Sequence, residues 1–356
     1  MHIRAGTTCW LILAASLAMT ACSDTPSAPA RPDPPTVLAI RAATYEGSGQ
    51  AVHPDVAVLP ATGTRAATPF LALTPYPFGN ATYENPSIYT GDGLAEWSAP
   101  IGATNPVVQP YDGYLSDPDM LYDPATGELW LYYRQVTSEN QVWLVRSADG
   151  VHWSAPVLVA HAPNHEIVSP TVVRRAAGDW LMWSVNSGSV GCSSATTTVE
   201  LRRSTDGLAW SAPETVALDE PGGSPWHLDV EWIPSRQEFW ALFPLKQPGS
   251  CTTAAVYFAH SGDGLHWQTY PTPLLARGMT PELQDVVYRS SLAYEPSTQT
   301  VTVWYSGARF RGSRYVWHVA VEQLPLASLM DRVTSKSFEY PPEATHAPPL
   351  TNETAP

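Results

Sequence analysis

Five segments of this 356-residue chain carry carboxylate, imidazole, hydroxyl and guanidinium groups at matched positions. They are His53-Pro54-Asp55, Asp117-Pro118-Asp119, Ser169-Pro170-Thr171, His227-Leu228-Asp229 and Arg289-Ser290-Ser291, spaced at near-equal intervals along the chain. In an extended strand, residues two apart share a face. Aligned, the segments therefore give two rings: Asp55, Asp119, Thr171, Asp229 and Ser291, and His53, Asp117, Ser169, His227 and Arg289. An apolar core does not select these residues, because gathering Asp, His and Arg costs desolvation unless they pair or meet a polar ligand. The chemistry on offer is acid–base: a carboxylate to take a proton and a carboxylic acid to give one. Close aspartates would repel and raise one pKa. The structural alternative is that the aspartates cap neighbouring backbone amides and hold the segments in register.

The elements that position these groups follow from a repeat. Asp92-Gly93, Asp149-Gly150, Asp206-Gly207 and Asp263-Gly264 recur at one unvarying interval, before Trp97, Trp153, Trp210 and Trp267. Asp-Gly predicts a tight hairpin turn, with Gly at positive φ; the Trp is expected to begin the next strand. Between the two signatures lie apolar, aromatic runs such as Leu129 to Tyr133 and Val142 to Arg146. With 35 Pro and 23 Gly, long helices are disfavoured. Four strands per unit and five units predict an all-β fold, a five-bladed β-propeller with four-stranded antiparallel blades over residues 37–330. Thr36 to Ile40 is the candidate outer strand for the last blade, which lacks its own Asp-Gly-x-x-Trp. Residues 331–356 read as a flexible tail.

Charge narrows the partners. Lys plus Arg total 19 against 33 Asp plus Glu, a net charge of −14, which excludes a nucleic-acid partner. Residues 1–21 read as a signal peptide: a basic start, an apolar run from Cys9 to Met19, then Thr20-Ala21-Cys22. The ending resembles the bacterial lipobox, which implies lipidation of Cys22. Residues 22–36 are proline-rich and read as a tether. The expectation is an exported protein of the bacterial cell envelope, held at a membrane by its lipid. Cys192 and Cys251 stand at equivalent positions of consecutive units, so a disulfide between neighbouring blades is expected.

Val52-His53-Pro54-Asp55 and Asp117-Pro118-Asp119-Met120, with the strand after each, resemble the first two blade motifs of family 43 glycoside hydrolases and related five-bladed glycosidases. The likeness spans about residues 50–322. It implies Asp55 as general base, and Asp119 as the group that tunes the acid and orients substrate. In the third blade the family's glutamate acid is replaced by Val168-Ser169-Pro170; Glu166, two residues before Val168, and Asp229 and Glu231 on the fourth blade are the candidate acids. His53, Asp117, Ser169 and His227 would line the substrate pocket. Arg289 would bind a sugar carboxylate or neutralise the aspartates, and Trp226 and Tyr288 would stack on sugar faces. No metal or cofactor is expected beyond a structural channel cation such as calcium, for which His227 is a candidate ligand. Two readings follow: a glycoside hydrolase acting on an oligo- or polysaccharide, or a non-catalytic carbohydrate- or protein-binding propeller that lacks the blade-three acid.

Overall fold

The computed structural model describes residues 36–63 and 65–335. The signal-like segment, Cys22 and most of the proline-rich stretch lie outside them. The fold is all-β, a β-propeller arrangement of four-stranded antiparallel blades. Five strands carry the signature residues, save His227, which lies just before the fourth: β1 (Ala51–Leu59), β2 (Tyr114–Asp123), β3 (Val168–Ala176), β4 (Asp229–Ile233) and β5 (Val286–Glu295). Each pairs antiparallel with the following strand, Thr68–Pro75, Glu128–Val136, Asp179–Asn186, Glu238–Lys246 or Thr300–Arg311. Four sheets have four strands. The sheet of β4 has seven, because the short pieces Ala217–Leu218, Ser224–Pro225 and Leu275–Ala276 are added to it. Thr36–Ala39 pairs antiparallel with Arg314–Pro325 and supplies the outer strand of the sheet of β5, as the repeat alignment expects.

The Asp-Gly turns are capped by their own side chains. Asp149 Oδ1 accepts from the amides of Val151 and His152, both at 2.8 Å, while Ser147 Oγ accepts from Gly150 N at 2.8 Å. Asp206 and Asp263 repeat the pattern. All four glycines have positive φ, between 73° and 83°. Three of them also press on an aromatic side chain. A Cβ on Gly150 would stand 2.1 Å from Phe70, and one on Gly264 would stand 2.7 Å from Trp183, whereas Gly93 meets only Pro69 at 3.8 Å. Gly93→Ala should therefore cost only the left-handed strain, about 1–2 kcal/mol. Gly150→Ala adds about 1–3 kcal/mol of overpacking. Urea midpoints of the two variants should differ accordingly; equal losses would refute the close-approach argument.

Two expectations need correction. Trp97 opens the strand Trp97–Ser98, and Trp267 lies in His266–Thr269. Trp153 and Trp210, however, precede their outer strands, which begin at Val157 and Glu214. Ser-Ala-Pro follows all three tryptophans, and only at Trp97 does a short pairing, with Gly91 and Thr90, form before the proline. Pro156 and Pro213 have no N–H for the ladder, so pairing resumes just after each proline. The predicted tail also begins too early. Leu326–Thr334 is a helix with Leu329 and Val333 buried, and Arg332 holds Glu322 through two bonds of 2.7 and 2.9 Å. The spacing of Leu326, Leu329, Met330 and Val333 is one helical face. Residues 336–356 lie outside the described part.

Cys192 and Cys251 form a disulfide with Cα atoms 4.8 Å apart. It ties the Gly188–Ser193 turn of the β3 sheet to the turn before Thr253–Ser261 of the next. Closing a loop of this length contributes about 4 kcal/mol in the chain-entropy account.

Candidate functional site

In β1, β2, β3 and β5 the inner strand has one more residue than its partner at the ring positions. Val52 and Asp55 face Thr74 and Ala72, so the inner strand takes an extra residue between them. The same shift recurs at Ser116/Asp119, Val168/Thr171 and Val287/Ser290. This is a β-bulge, a device that re-aims side chains. At the bulge His53, Asp117 and Ser169 take φ of 56°, 49° and 51°. Each precedes a proline, whose missing N–H leaves no ladder bond to satisfy. Left-handed backbone at non-glycine residues is strained and recurs at functional sites. The bulge separates the two rings into layers along the axis.

The upper layer brings His53, Asp117 and His227 together, with ligand atoms all within 4.8 Å. Asp117 Oδ1 lies 3.4 Å from His53 Nε2 and 3.2 Å from His227 Nδ1. The three side chains are at most 1% exposed, and these three atoms have no hydrogen-bond partner. Their other faces are held. His53 Nδ1 is 3.0 Å from Thr74 Oγ1, and Glu84 Oε2 stands 3.5 Å from the same nitrogen. Asp117 Oδ2 accepts from Ser116 Oγ at 3.2 Å and lies 2.9 Å from Arg134 Nε. Burial holds both histidines below their ordinary value, hence neutral. Burial alone would raise Asp117, but the Arg134 guanidinium beside it outweighs burial and holds the carboxyl well below its usual range. Two neutral imidazoles and one ionised carboxylate, converging and oriented from behind, form a metal-ligand set. Sequence reasoning placed these residues in a sugar pocket and expected no metal beyond a channel cation. It missed Glu84 and Arg134. Arg134 was legible, as the one charged residue within Leu-Trp-Leu-Tyr-Tyr-Arg-Gln-Val; Glu84 sits in a connection with no repeat to mark it.

The remaining upper residues surround this set. Arg289 donates from Nη1 to the Pro118 carbonyl at 2.9 Å and comes within 4.0 Å of Asp117 Oδ1. Ser169 Oγ donates to the Leu228 carbonyl at 3.3 Å. Tyr288 packs against both imidazoles, with ring centroids 4.4 Å from His227 and 5.4 Å from His53. Trp226 lies 5.5 Å from His227. Both aromatic rings are 4% exposed and are spent on this packing, so neither offers a free face for stacking on a sugar.

The lower layer laces the blades. Asp55 Oδ2 accepts from Met120 N at 2.5 Å, Asp119 Oδ2 from Val172 N at 2.9 Å, and Asp229 Oδ2 from Leu292 N at 3.2 Å. Thr171 Oγ1 accepts from Val230 N at 3.2 Å. Each ring residue thus receives the amide that follows the next blade's ring residue, which is the capping role weighed from sequence. One oxygen from each of the three aspartates lies within 4.8 Å of one from each of the others. Burial raises all three pKa values; at Asp119 and Asp229 the Asp55 charge adds to it, and Arg289 opposes. Glu166 does not join them. It is half-buried between β3 and the preceding strand, and its charge acts on Arg202 of the third strand of its own blade.

No family model matches the chain, and no curated protein matches it. Solved structures do. An N-acetylgalactosamine deacetylase from F. plautii, in complex with blood group B trisaccharide, superimposes with a TM-score of 0.70 at 26% identity, over 80% of this chain and 91% of that one. A thermostable family-43 glycoside hydrolase gives 0.55 at 11% identity, over 76% of this chain and 88% of that one. An α-L-arabinofuranosidase from Podospora anserina in complex with cellotriose gives 0.56 at 12%, over 81% and 96%. The fold is that of the propeller glycosidases. At such identities the two glycosidases speak to fold alone.

Proposed function

We propose that this chain is a glycan-active hydrolase that uses a divalent metal to remove an acyl group from an N-acylated sugar. The observation that carries the reading is the convergence of His53 Nε2, Asp117 Oδ1 and His227 Nδ1, buried and without hydrogen-bond partners. Two nitrogens and one oxygen make the three-ligand set of catalytic zinc sites, in which water takes the fourth position. A divalent ion held there supplies a Lewis acid and lowers the pKa of water to about 7. The protein's part is positional. Thr74 sets the His53 tautomer, Arg134 and Ser116 fix the carboxylate, and Arg289 adds positive charge beside it. Tyr288 packs on both imidazoles and Glu84 stands 3.5 Å from His53 Nδ1, so substrate reaches the buried ligands only as this packing gives way. The likeness to a sugar deacetylase supports an amide as the scissile bond. So does the use of Asp55, Asp119 and Asp229 as blade-to-blade acceptors, which removes them from the role of free base.

Glycosidic cleavage is the second reading. It is favoured by the adjacent carboxyls of Asp55 and Asp119 with raised pKa values, since a general acid must keep its proton near neutrality. One experiment separates the two. Purified protein with added zinc, manganese or cobalt is assayed on N-acetylhexosaminides for acetate release and on aryl glycosides for aglycone release. Acetate release abolished by a chelator is expected; aglycone release that survives the chelator would replace the first reading with the second.

Three coarser expectations belong to the same proposal. The five sheets act as five blades, the β4 sheet keeping a four-stranded run to which short pieces are added. The chain is exported, as the Cys192–Cys251 disulfide supports. Cys22 carries a lipid that holds the propeller at a membrane.

A further inference from the structure

In a chain of net charge −14, part of the rim above the upper layer is basic. The strands Thr300–Arg311 and Arg314–Pro325 form a hairpin closed by Gly312 and Ser313. Ala308 faces Val286, where β5 begins, so Arg309 to Arg314 run on past the upper end of the inner strand. Arg311 stands directly opposite Arg314 across the ladder, and both are exposed. Like charges placed opposite one another destabilise a strand pair. Among the described residues neither has an ion pair, whereas Arg41 and Arg175 hold carboxylates at 2.9 and 2.6 Å. Just below them, Arg309 Nε is buried and has no hydrogen-bond partner.

The neighbouring part of the rim is aromatic. Phe78, in the turn between the second and third strands of the β1 sheet, is 49% exposed and takes φ of 54°. Left-handed backbone at such a residue persists only where its surroundings impose it. Here Gln50 Oε1 accepts from Phe78 N at 3.2 Å and from Trp317 N at 3.1 Å, which ties the turn to the last blade. The Arg314 guanidinium lies over the Phe78 ring, 5.3 Å from its centroid. From this rim, ring contacts lead inward: Tyr76 to Trp317 at 5.0 Å, Trp317 to Tyr288 at 5.2 Å, and Tyr288 to His227 at 4.4 Å.

We infer that this rim is a subsite for an acidic glycan, in which Phe78 stacks on a sugar face while Arg311 and Arg314 hold the carboxylate of a uronic acid residue next to the sugar that reacts. The place of the reacting sugar rests on the reading proposed above; the anion site rests on the rim itself. A guanidinium receives a carboxylate through two parallel N–H donors, a geometry an ammonium lacks. A carboxylate between Arg311 and Arg314 converts a repulsive pair into an attractive one, and a neutral glycan offers no such gain. Phe78 supplies the exposed aromatic face that Trp226 and Tyr288, packed on the histidines, do not. The overall negative charge of the chain repels acidic glycans elsewhere, so the basic rim also steers them to this edge.

The test uses the full chain in a chelator, where no metal-dependent turnover intervenes. Calorimetric titration at low salt compares a tetrasaccharide alternating glucuronate and N-acetylglucosamine with the neutral N-acetylglucosamine tetramer. The acidic probe should bind about tenfold more tightly or better, a preference that shrinks as salt rises. The double variant Arg311→Ala, Arg314→Ala should erase that preference at a wild-type melting temperature. Phe78→Ala should weaken both probes about tenfold. Equal affinity of the wild-type chain for the two probes would overturn the inference, as would no binding of the acidic one. So would a preference that survives in the double variant. Acetate release from the same probes with added zinc decides the deacylation reading separately, since the binding comparison does not depend on it.

Discussion

His227→Ala should strip the chain of its transition metal and lower acyl hydrolysis by about a thousandfold or more. Lewis-acid stabilisation is worth several kcal/mol, and each step of about 1.4 kcal/mol is tenfold in rate. His227 is the right ligand to remove because Asp117 keeps Arg134 and Ser116 at its second oxygen, so alanine strands no cation. Asp117→Asn is a poorer probe, since it strands the Arg134 guanidinium, 2% exposed, without its charge partner. The measurements are metal content after dialysis and acetate release at saturating metal. Asp55→Asn is the contrast. Its side chain serves the Met120 amide, so the metal content should stay at the wild-type level. Full activity in a metal-free His227→Ala protein would remove the metal-dependent mechanism.

The second large effect is on stability. Arg289→Leu deletes the guanidinium that faces Asp119 and the bond to the Pro118 carbonyl. Leaving a buried charge unpaired costs about 3–5 kcal/mol. The loss should depend on pH with a definite sign. Burial raises the folded pKa of the carboxyls to about 6 at Asp55 and about 7 at Asp119, above the ordinary 3.8. A raised folded pKa contributes stability that is present below the unfolded pKa and lost as pH rises through the folded one. In a chelator the wild-type chain should therefore lose stability from pH 4 to 8, and the variant should lose more. Near pH 5 the carboxyls hold protons and need less of the arginine. Urea unfolding in a chelator at pH 5 and pH 8 checks this. A difference between wild type and variant that is the same at both values would show that Arg289 acts by packing alone.

The architecture was legible because its determinants are local. Asp-Gly before Trp at fixed period encodes a turn whose capping needs only Ser147, Asp149 and Gly150, and whose Trp fills the gap beside it. The site was legible in composition but not in depth. Alternation put His53 and Asp55 on one face at equal standing, whereas the bulge in β1 sets His53 above Asp55 and turns it to Asp117 and His227. In β1, β2 and β3 the bulge appears in sequence as X-Pro within an apolar strand, which says nothing about the extra residue's direction, and in β5 it has no proline to mark it. The motif therefore gave prominence to Asp55, which the structure commits to an amide. The metal-ligand set escaped for the same reason: His53, Asp117 and His227 come from three different sheets and meet through ring closure, not local pattern. Helix Leu326–Thr334 was masked by the prolines that follow it.

The pairing of Thr36–Ala39 with Arg314–Pro325 sets an order on folding during synthesis. The first described strand to leave the ribosome waits for the last, so its sheet is completed only when nearly the whole chain exists. Such a long-range contact carries the largest loop-closure entropy in the molecule and should form late. Until it forms, Arg314–Pro325 presents an open edge to other chains. The final stitch of the ring is thus also the step at which nascent molecules are most exposed to pairing with one another instead of with themselves.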